Sequence, residues 1–155
     1  MRIPDFLLDV NVVMDYLEDR EPHARHAQAL FAAAKNSEAR LWVSGDTAST
    51  IYYVLEKGFR QSRVKLPALK AQAAIRSILQ QVSVAPVNKG ALERALDFHM
   101  KDYEDAIQAA CAIEARVGTL VTRDRAGYRD LPRDLLAVLT PPEAMARLGA
   151  RTRTR

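Results

Sequence analysis

Five short apolar runs, separated by segments of helical periodicity, constrain this chain more than any other feature. Phe6-Leu7-Leu8, Leu41-Trp42-Val43, Val82 to Val87, Thr119-Leu120-Val121 and Leu136 to Leu139 are short and rich in β-branched or large apolar residues. Such runs suit strands covered on both faces, as in a parallel sheet. Parallel neighbours need crossover connections, which helices supply. The intervening pattern predicts helices over 11–19, 22–36, 47–59, 67–81, 91–98, 102–117 and 144–148. Pro22 falls in a first turn, Asp46 and Asn88 stand as caps, and Gly118 is placed to close a helix in the left-handed region. Thr140-Pro-Pro-Glu143 matches a capping box before the last helix. Alternating strands and helices predict a layered α/β fold with a mainly parallel sheet.

At 155 residues, 48% hydrophobic and 27% charged, the chain has the balance of one globular domain, expected over residues 1–150. Its single cysteine, Cys111, excludes an internal disulfide framework and a zinc-thiolate cage, and its alanine neighbours suggest a buried helical thiol. No apolar stretch is long enough to span a bilayer, and the opening residues lack a signal-peptide pattern, so the cytoplasm is the expected location. The net charge is +4, but Arg151, Arg153 and Arg155 cluster at the end. Residues 151–155 are therefore expected to form a disordered basic tail on a nearly neutral domain. Composition permits a nucleic-acid partner without requiring one.

Ligands of open α/β sheets gather beyond the carboxyl ends of the strands, and the residues there are acidic. Asp9 directly follows the first run, Asp124 follows the fourth beyond Arg123, and Asp102 and Asp105 open the long sixth helix. Each has a structural explanation: Asp102 as a cap, Asp105 in a favourable first turn, Asp124 opening the turn that contains Gly127. Asp9 is harder to explain so, because a carboxylate against Phe6-Leu7-Leu8 loses solvent and needs a partner. A shared cation would account for Asp9, Asp105 and Asp124 together. Oxygen ligands without nearby His or Cys select Mg²⁺ or Mn²⁺ rather than zinc. Such an ion can activate water for attack on a phosphoester.

Asn11 either orients Asp9 or caps the first helix, and one side chain can serve both ends. Asp15 reads as a solvated helix residue, and His23 and His26 as a solvated face. Glycine-rich phosphate loops, Gly-x-Ser-x-Gly elbows and His-Glu-x-x-His zinc sites are all absent from the sequence. The segment Tyr52 to Leu55 fits a core or dimer contact better than a stacking platform for bases.

Taken in order, FLLDVNVVMDYL, LWVSGDTASTIYYVLEK and DYEDAIQAACAIEARVGTLVTRD resemble the PIN-domain family, especially its branch of bacterial VapC-like toxin ribonucleases. The likeness runs over about residues 5 to 148. It implies a three-layer α/β/α sandwich, an acidic pocket for Mg²⁺ or Mn²⁺ and endonucleolytic hydrolysis of RNA phosphodiesters. By matching position, Asp9, Asp105 and Asp124 are the family's acids and Asn11 the polar residue supporting the first. Asp102 and Glu104 stand beside them as additional ligands. The likeness also implies an antitoxin partner and a homodimer, for which Tyr52-Tyr53 or the helix after Leu66 offers a surface. One feature departs: Thr50 occupies the place of a glutamate that many PIN nucleases carry. Asp46, one turn earlier, is the candidate to fill it, whereas Glu56 projects differently.

A non-catalytic PIN-like module that binds RNA or protein is the competing reading, motivated by Thr50. A phosphatase of the haloacid dehalogenase type also places an aspartate after a strand, but Asn11 stands where that family has its second aspartate.

Overall fold

The computed structural model of the chain describes residues 2–152. The apolar runs become β1 (Asp5–Leu8), β2 (Arg40–Ser44), β3 (Ser83–Ala85), β4 (Thr119–Val121) and β5 (Ala137–Leu139). They form one sheet in the order β3-β2-β1-β4-β5, with every neighbouring pair parallel. Between them run α1 (Val10–Glu18), α2 (Ala24–Lys35), α3 (Gly45–Gln61), α4 (Pro67–Leu79), α5 (Lys89–Asp97) and α6 (Tyr103–Glu114), and α7 (Pro141–Thr152) follows β5. A 3₁₀ turn covers Arg125–Tyr128.

Successive residues of β1 face opposite sides, as the pleat requires. Phe6 and Leu8 enter a core with Val12, Val13, Leu30, Ile51, Ile78 and Leu148, so α1 to α4 and α7 cover one face of the sheet. Leu7 enters a second core with Ala91, Ala95, Ala106, Ala109, Ala110 and Cys111, so α5 and α6 cover the other. This is the three-layer α/β/α sandwich. Tyr16 of α1 and Phe31 of α2 stack with ring centroids 3.9 Å apart. Cys111 is buried, and loss of solvent pushes its thiol up to about 12.

Several helix ends differ from expectation, each for a local reason. Pro22 belongs to a turn closed by the His23 N–H on the Arg20 carbonyl, and α2 starts after it. Ser44, not Asp46, occupies the N-cap position of α3, and Asp46 lies in the first turn, accepting a 2.6 Å hydrogen bond from Ser44 Oγ. The left-handed residue closing α6 is Arg116, at φ 58°, rather than Gly118. Closing two residues early lets the Val117 N–H reach the Ala112 carbonyl at 2.8 Å and sends Val117 into the core. The capping box at Thr140 forms as expected: the Thr140 N–H donates to Glu143 Oε2 at 2.8 Å, and the Glu143 N–H donates to Thr140 Oγ1. α7 then takes in Arg151 and Thr152, the first residues of the expected basic tail; residues 153–155 lie outside the described residues. Among the described residues, no helix is long and apolar enough to cross a membrane.

β1 is the element that positions the site. From it the chain proceeds to β2 on one side and returns at β4 on the other, so the order reverses between β1 and β4. The crevice beyond the carboxyl ends at such a reversal is where open α/β sheets bind ligands. Leu8 pairs with Val121 there, and the next backbone bond runs from the Asp9 N–H to the Val121 carbonyl at 2.9 Å.

Candidate active site

Asp9 leaves the sheet at this reversal and is only 5% exposed. It stands at the N-cap position of α1 without capping it, because its carboxylate is engaged elsewhere. Oδ2 accepts from Thr122 Oγ1 at 2.7 Å, from Tyr128 OH at 3.2 Å and from Asn11 Nδ2 at 3.3 Å. Oδ1 accepts from Gln108 Nε2 at 3.2 Å. All four donors are neutral. Asn11 orients Asp9 rather than capping α1, and its own Oδ1 accepts from the Arg123 N–H at 3.2 Å. Thr122 Oγ1 in turn accepts from Asn11 Nδ2 and from the Asp124 N–H, tying the ends of β1 and β4 together.

Asp105 arrives from the first turn of α6, which Asp102 caps by accepting from the Asp105 N–H at 3.2 Å. The cap fixes where the helix begins and therefore which face Asp105 and Gln108, three residues on, present together. Gln108 Nε2 reaches Asp105 Oδ1 at 3.4 Å as well as Asp9, and Tyr128 OH lies 3.3 Å from the same Asp105 oxygen. Two side chains thus bridge two acids far apart in sequence. Asp124 comes from beyond β4, where its Oδ1 accepts from the Gly127 N–H at 3.2 Å. A β-carbon at Gly127 would lie 3.1 Å from Asp124 Oδ2 and 3.2 Å from Asp105 Oδ2. A side chain there would push one of the two carboxylates aside by a few tenths of an ångström, so glycine leaves both where they stand.

The electrostatics follow from this convergence. Asp105 is raised from 3.8 to about 7, first by loss of solvent, then by Asp9, Asp102 and Asp124, with the Tyr128 hydrogen bond acting the other way. The Tyr128 hydroxyl is pushed well above its ordinary value by burial and by the negative Asp9 and Asp105, so it stays a donor. Glu104 is also raised, by loss of solvent around its carboxyl and by Asp46, while the Thr50 hydroxyl beside it lowers its pKa. Thr50, Asp46 and Glu104 therefore belong to one neighbourhood at the cleft. The cleft, of about 350 Å³, is lined by Asp9, Asn11, Asp102, Glu104, Asp105 and Asp124, with Arg20, Met14 and Val54.

The donor set fits a hard divalent cation in chemistry: carboxylate oxygens only, crowded enough to hold a proton on one of them near neutrality. Gln108 Oε1 is buried beside them and, among the described residues, has no hydrogen-bond partner; a hydrated ion would supply one. Among the described residues, however, no three His, Cys, Asp or Glu side chains already stand as a metal-holding group. Asp9 and Asp105 are drawn onto Gln108 and Tyr128 instead.

Gln108, Thr122 and Tyr128 were not singled out by sequence reasoning. Gln108 is legible in retrospect, lying one turn beyond Asp105, and Thr122 lies at a strand end. Tyr128 carried no local signal. Asp15 corrects the reading of a solvated residue: it is 1% exposed and receives Arg123 Nε at 2.6 Å and Nη2 at 3.2 Å.

The fold that presents these residues has counterparts among known proteins. Ribonuclease VapC1 from Aquifex aeolicus (strain VF5) is 24% identical over 126 residues, covering 78% of this chain and 82% of that protein. VapBC2 from Rickettsia felis, solved bound to a DNA fragment from the promoter, superposes with a TM-score of 0.64 at 15% identity, over 88% of this chain and 98% of the matched one. Mycobacterium tuberculosis VapC20, described as a sarcin-ricin loop cleaving toxin, gives 0.56 at 14%, over 74% and 86%. These likenesses show the fold. The model of the PIN domain matches residues 5–126, which span β1 to the turn that carries Asp124, and the chain belongs to the PIN-domain family.

Proposed function

We propose that this protein is a metal-dependent endoribonuclease that hydrolyses RNA phosphodiester bonds, acting as the toxin of a toxin–antitoxin pair. The observation that carries the reading is the double bridge of Gln108 and Tyr128 between Asp9 and Asp105 at the sheet reversal, with Asp124 Oδ2 turned to the same glycine. Asp9, Asp105 and Asp124 would hold Mg²⁺ or Mn²⁺. When bound, the ion supplies Lewis-acid activation of a water and neutralisation of the phosphate oxygen. Asn11 and Thr122 fix the Asp9 carboxylate, Tyr128 and Gln108 set its separation from Asp105, and Asp102 fixes the start of α6. Asp105, ionising at about 7, must give up its proton before it can act as a ligand. Asp46 and Glu104 place acidic oxygens near Thr50, where the family commonly carries its glutamate.

The name of the Aquifex relative and the toxin and antitoxin assemblies among the structural neighbours support the substrate and the pairing. Exposed Tyr53 on α3 and Leu66 and Leu69 at the start of α4 suit a protein partner, an antitoxin or a second copy. The test is a labelled RNA incubated with Mg²⁺ or Mn²⁺. Cleavage by the wild type and its loss in Asp9→Asn/Asp105→Asn is the expected result, and equal cleavage by both overturns these roles. Thr50 favours the alternative, a module that binds RNA or protein without turnover. Calorimetric titration with Mn²⁺ separates the two, since absence of binding at millimolar metal supports the module.

A further inference from the structure

Tyr128 also walls a second cavity, of about 520 Å³, whose rim carries Arg125, Arg129 and Arg133 and whose lining includes Leu131 and Leu136. Its charge is opposite to that of the acidic cleft. Arg125 is paired with Glu143. Arg129 and Arg133 are exposed, and among the described residues their guanidinium groups have neither an ion pair nor a hydrogen bond. Asp130 and Asp134 alternate with them in sequence but do not line the cavity. In the acidic cleft the one basic lining residue, Arg20, is bonded to Glu18. A polyanion bound at that cleft would therefore meet repulsion on its neighbouring phosphates unless cations lie along its path.

We propose that this cavity holds a nucleotide flanking the scissile bond of a single-stranded RNA. Arg129 and Arg133 bind its phosphate and the apolar lining receives its base. The assignment of the strand rests on the nuclease reading above. Guanidinium groups match phosphate oxygens by geometry as well as charge, and a base gains contact with apolar and guanidinium surfaces without demanding a particular sequence. Tyr128 links the two sites physically, since it lines this cavity while its hydroxyl donates to Asp9 and Asp105 of the acidic cleft.

The test measures binding and cutting separately. Binding of a fluorescein-labelled oligouridylate is followed by anisotropy in EDTA across a salt series. Arg129→Ala/Arg133→Ala is expected to weaken it about tenfold and to flatten the slope of log affinity against log salt by about 0.7, one neutralised phosphate on a single strand. Arg129→Lys/Arg133→Lys should recover most of the slope. With Mn²⁺, KM should rise and kcat hold in the alanine variant, while its melting temperature stays at the wild-type value because both side chains are exposed. Unchanged affinity and slope overturn the proposal, as does absence of wild-type binding to the oligonucleotide. Loss of an oligoglutamate probe with RNA binding intact also overturns it, in favour of an acidic protein partner. Arginine-dependent binding without cutting overturns the nuclease reading and leaves the cavity as a nucleotide site with no scissile bond beside it; cutting with KM and affinity indifferent to both arginines overturns the cavity assignment and leaves the nuclease reading.

Discussion

Asp9 and Asp15 lie within one short stretch of chain and are both almost fully buried, yet the fold treats them in opposite ways. Asp15 receives the guanidinium of Arg123 through two hydrogen bonds, so its charge is balanced by the chain itself. Asp9 receives four neutral donors, and its nearest bridged neighbour is another acid. A buried charge needs a partner of opposite sign or it becomes costly. The difference marks Asp15 as part of the scaffold and, on the proposed reading, Asp9 as the group whose charge the bound cation would balance.

The largest effect expected from this contrast is on cleavage. Asp9→Asn/Asp105→Asn should lower the rate of RNA hydrolysis by about a thousandfold, roughly 4 kcal/mol in the barrier, read in a single-turnover assay with Mn²⁺. In metal-free buffer above pH 7, Asp105→Asn alone should raise the melting temperature, because it removes a carboxylate that its neighbours repel. A drop there would break the comparison.

Next comes the scaffold pair. Arg123→Ala leaves Asp15 buried without its cation and should destabilise the fold by about 3 kcal/mol, the lower end for a broken buried pair because Arg123 is itself partly solvated. Urea denaturation reads it. Replacing both partners, as Asp15→Leu/Arg123→Met, should recover much of that loss, which a pair needed for chemistry alone would not show in stability.

Smaller changes are expected at the bridges. Tyr128→Phe or Gln108→Leu should weaken Mn²⁺ binding by about 10- to 100-fold, the range for residues that orient ligands, as measured by calorimetry. Affinity unchanged in both variants would mean that the bridges do not set the spacing of Asp9 and Asp105.

The mildest test is titration. Asp105 rises from 3.8 to about 7, so the folded state holds its proton more tightly than the unfolded chain. The metal-free protein should therefore lose stability as pH rises from about 4 towards 7. Mn²⁺ affinity should move the other way, falling about tenfold for each pH unit below 7 and levelling above it. Melting curves with and without Mn²⁺ across that range should converge at low pH and separate at high pH.

Strands, helices and the acidic strand ends were legible in sequence because they depend on local periodicity. β4 begins and ends where its apolar run does, and Asn88, Asp102 and the Thr140 box cap the helices they precede. Two helix starts were not legible for different reasons: Asn11 is drawn to Asp9 and the distant Thr122, whereas Ser44 takes the cap position expected of Asp46 and bonds Asp46 within the same turn. Thr50 was readable as a departure from the family pattern, but its placement beside Glu104 was not.

The order of apolar runs and helical segments, together with acids just beyond the strands, was enough to determine a layered parallel sheet and to nominate Asp9, Asp105 and Asp124. Only the tertiary structure decided which buried acid is neutralised by the chain and which is not. Strand and helix formation follow from spacing along the chain, whereas charge balance depends on what packing brings within a few ångströms, and Arg123 and Tyr128 reach their partners across more than a hundred residues of sequence.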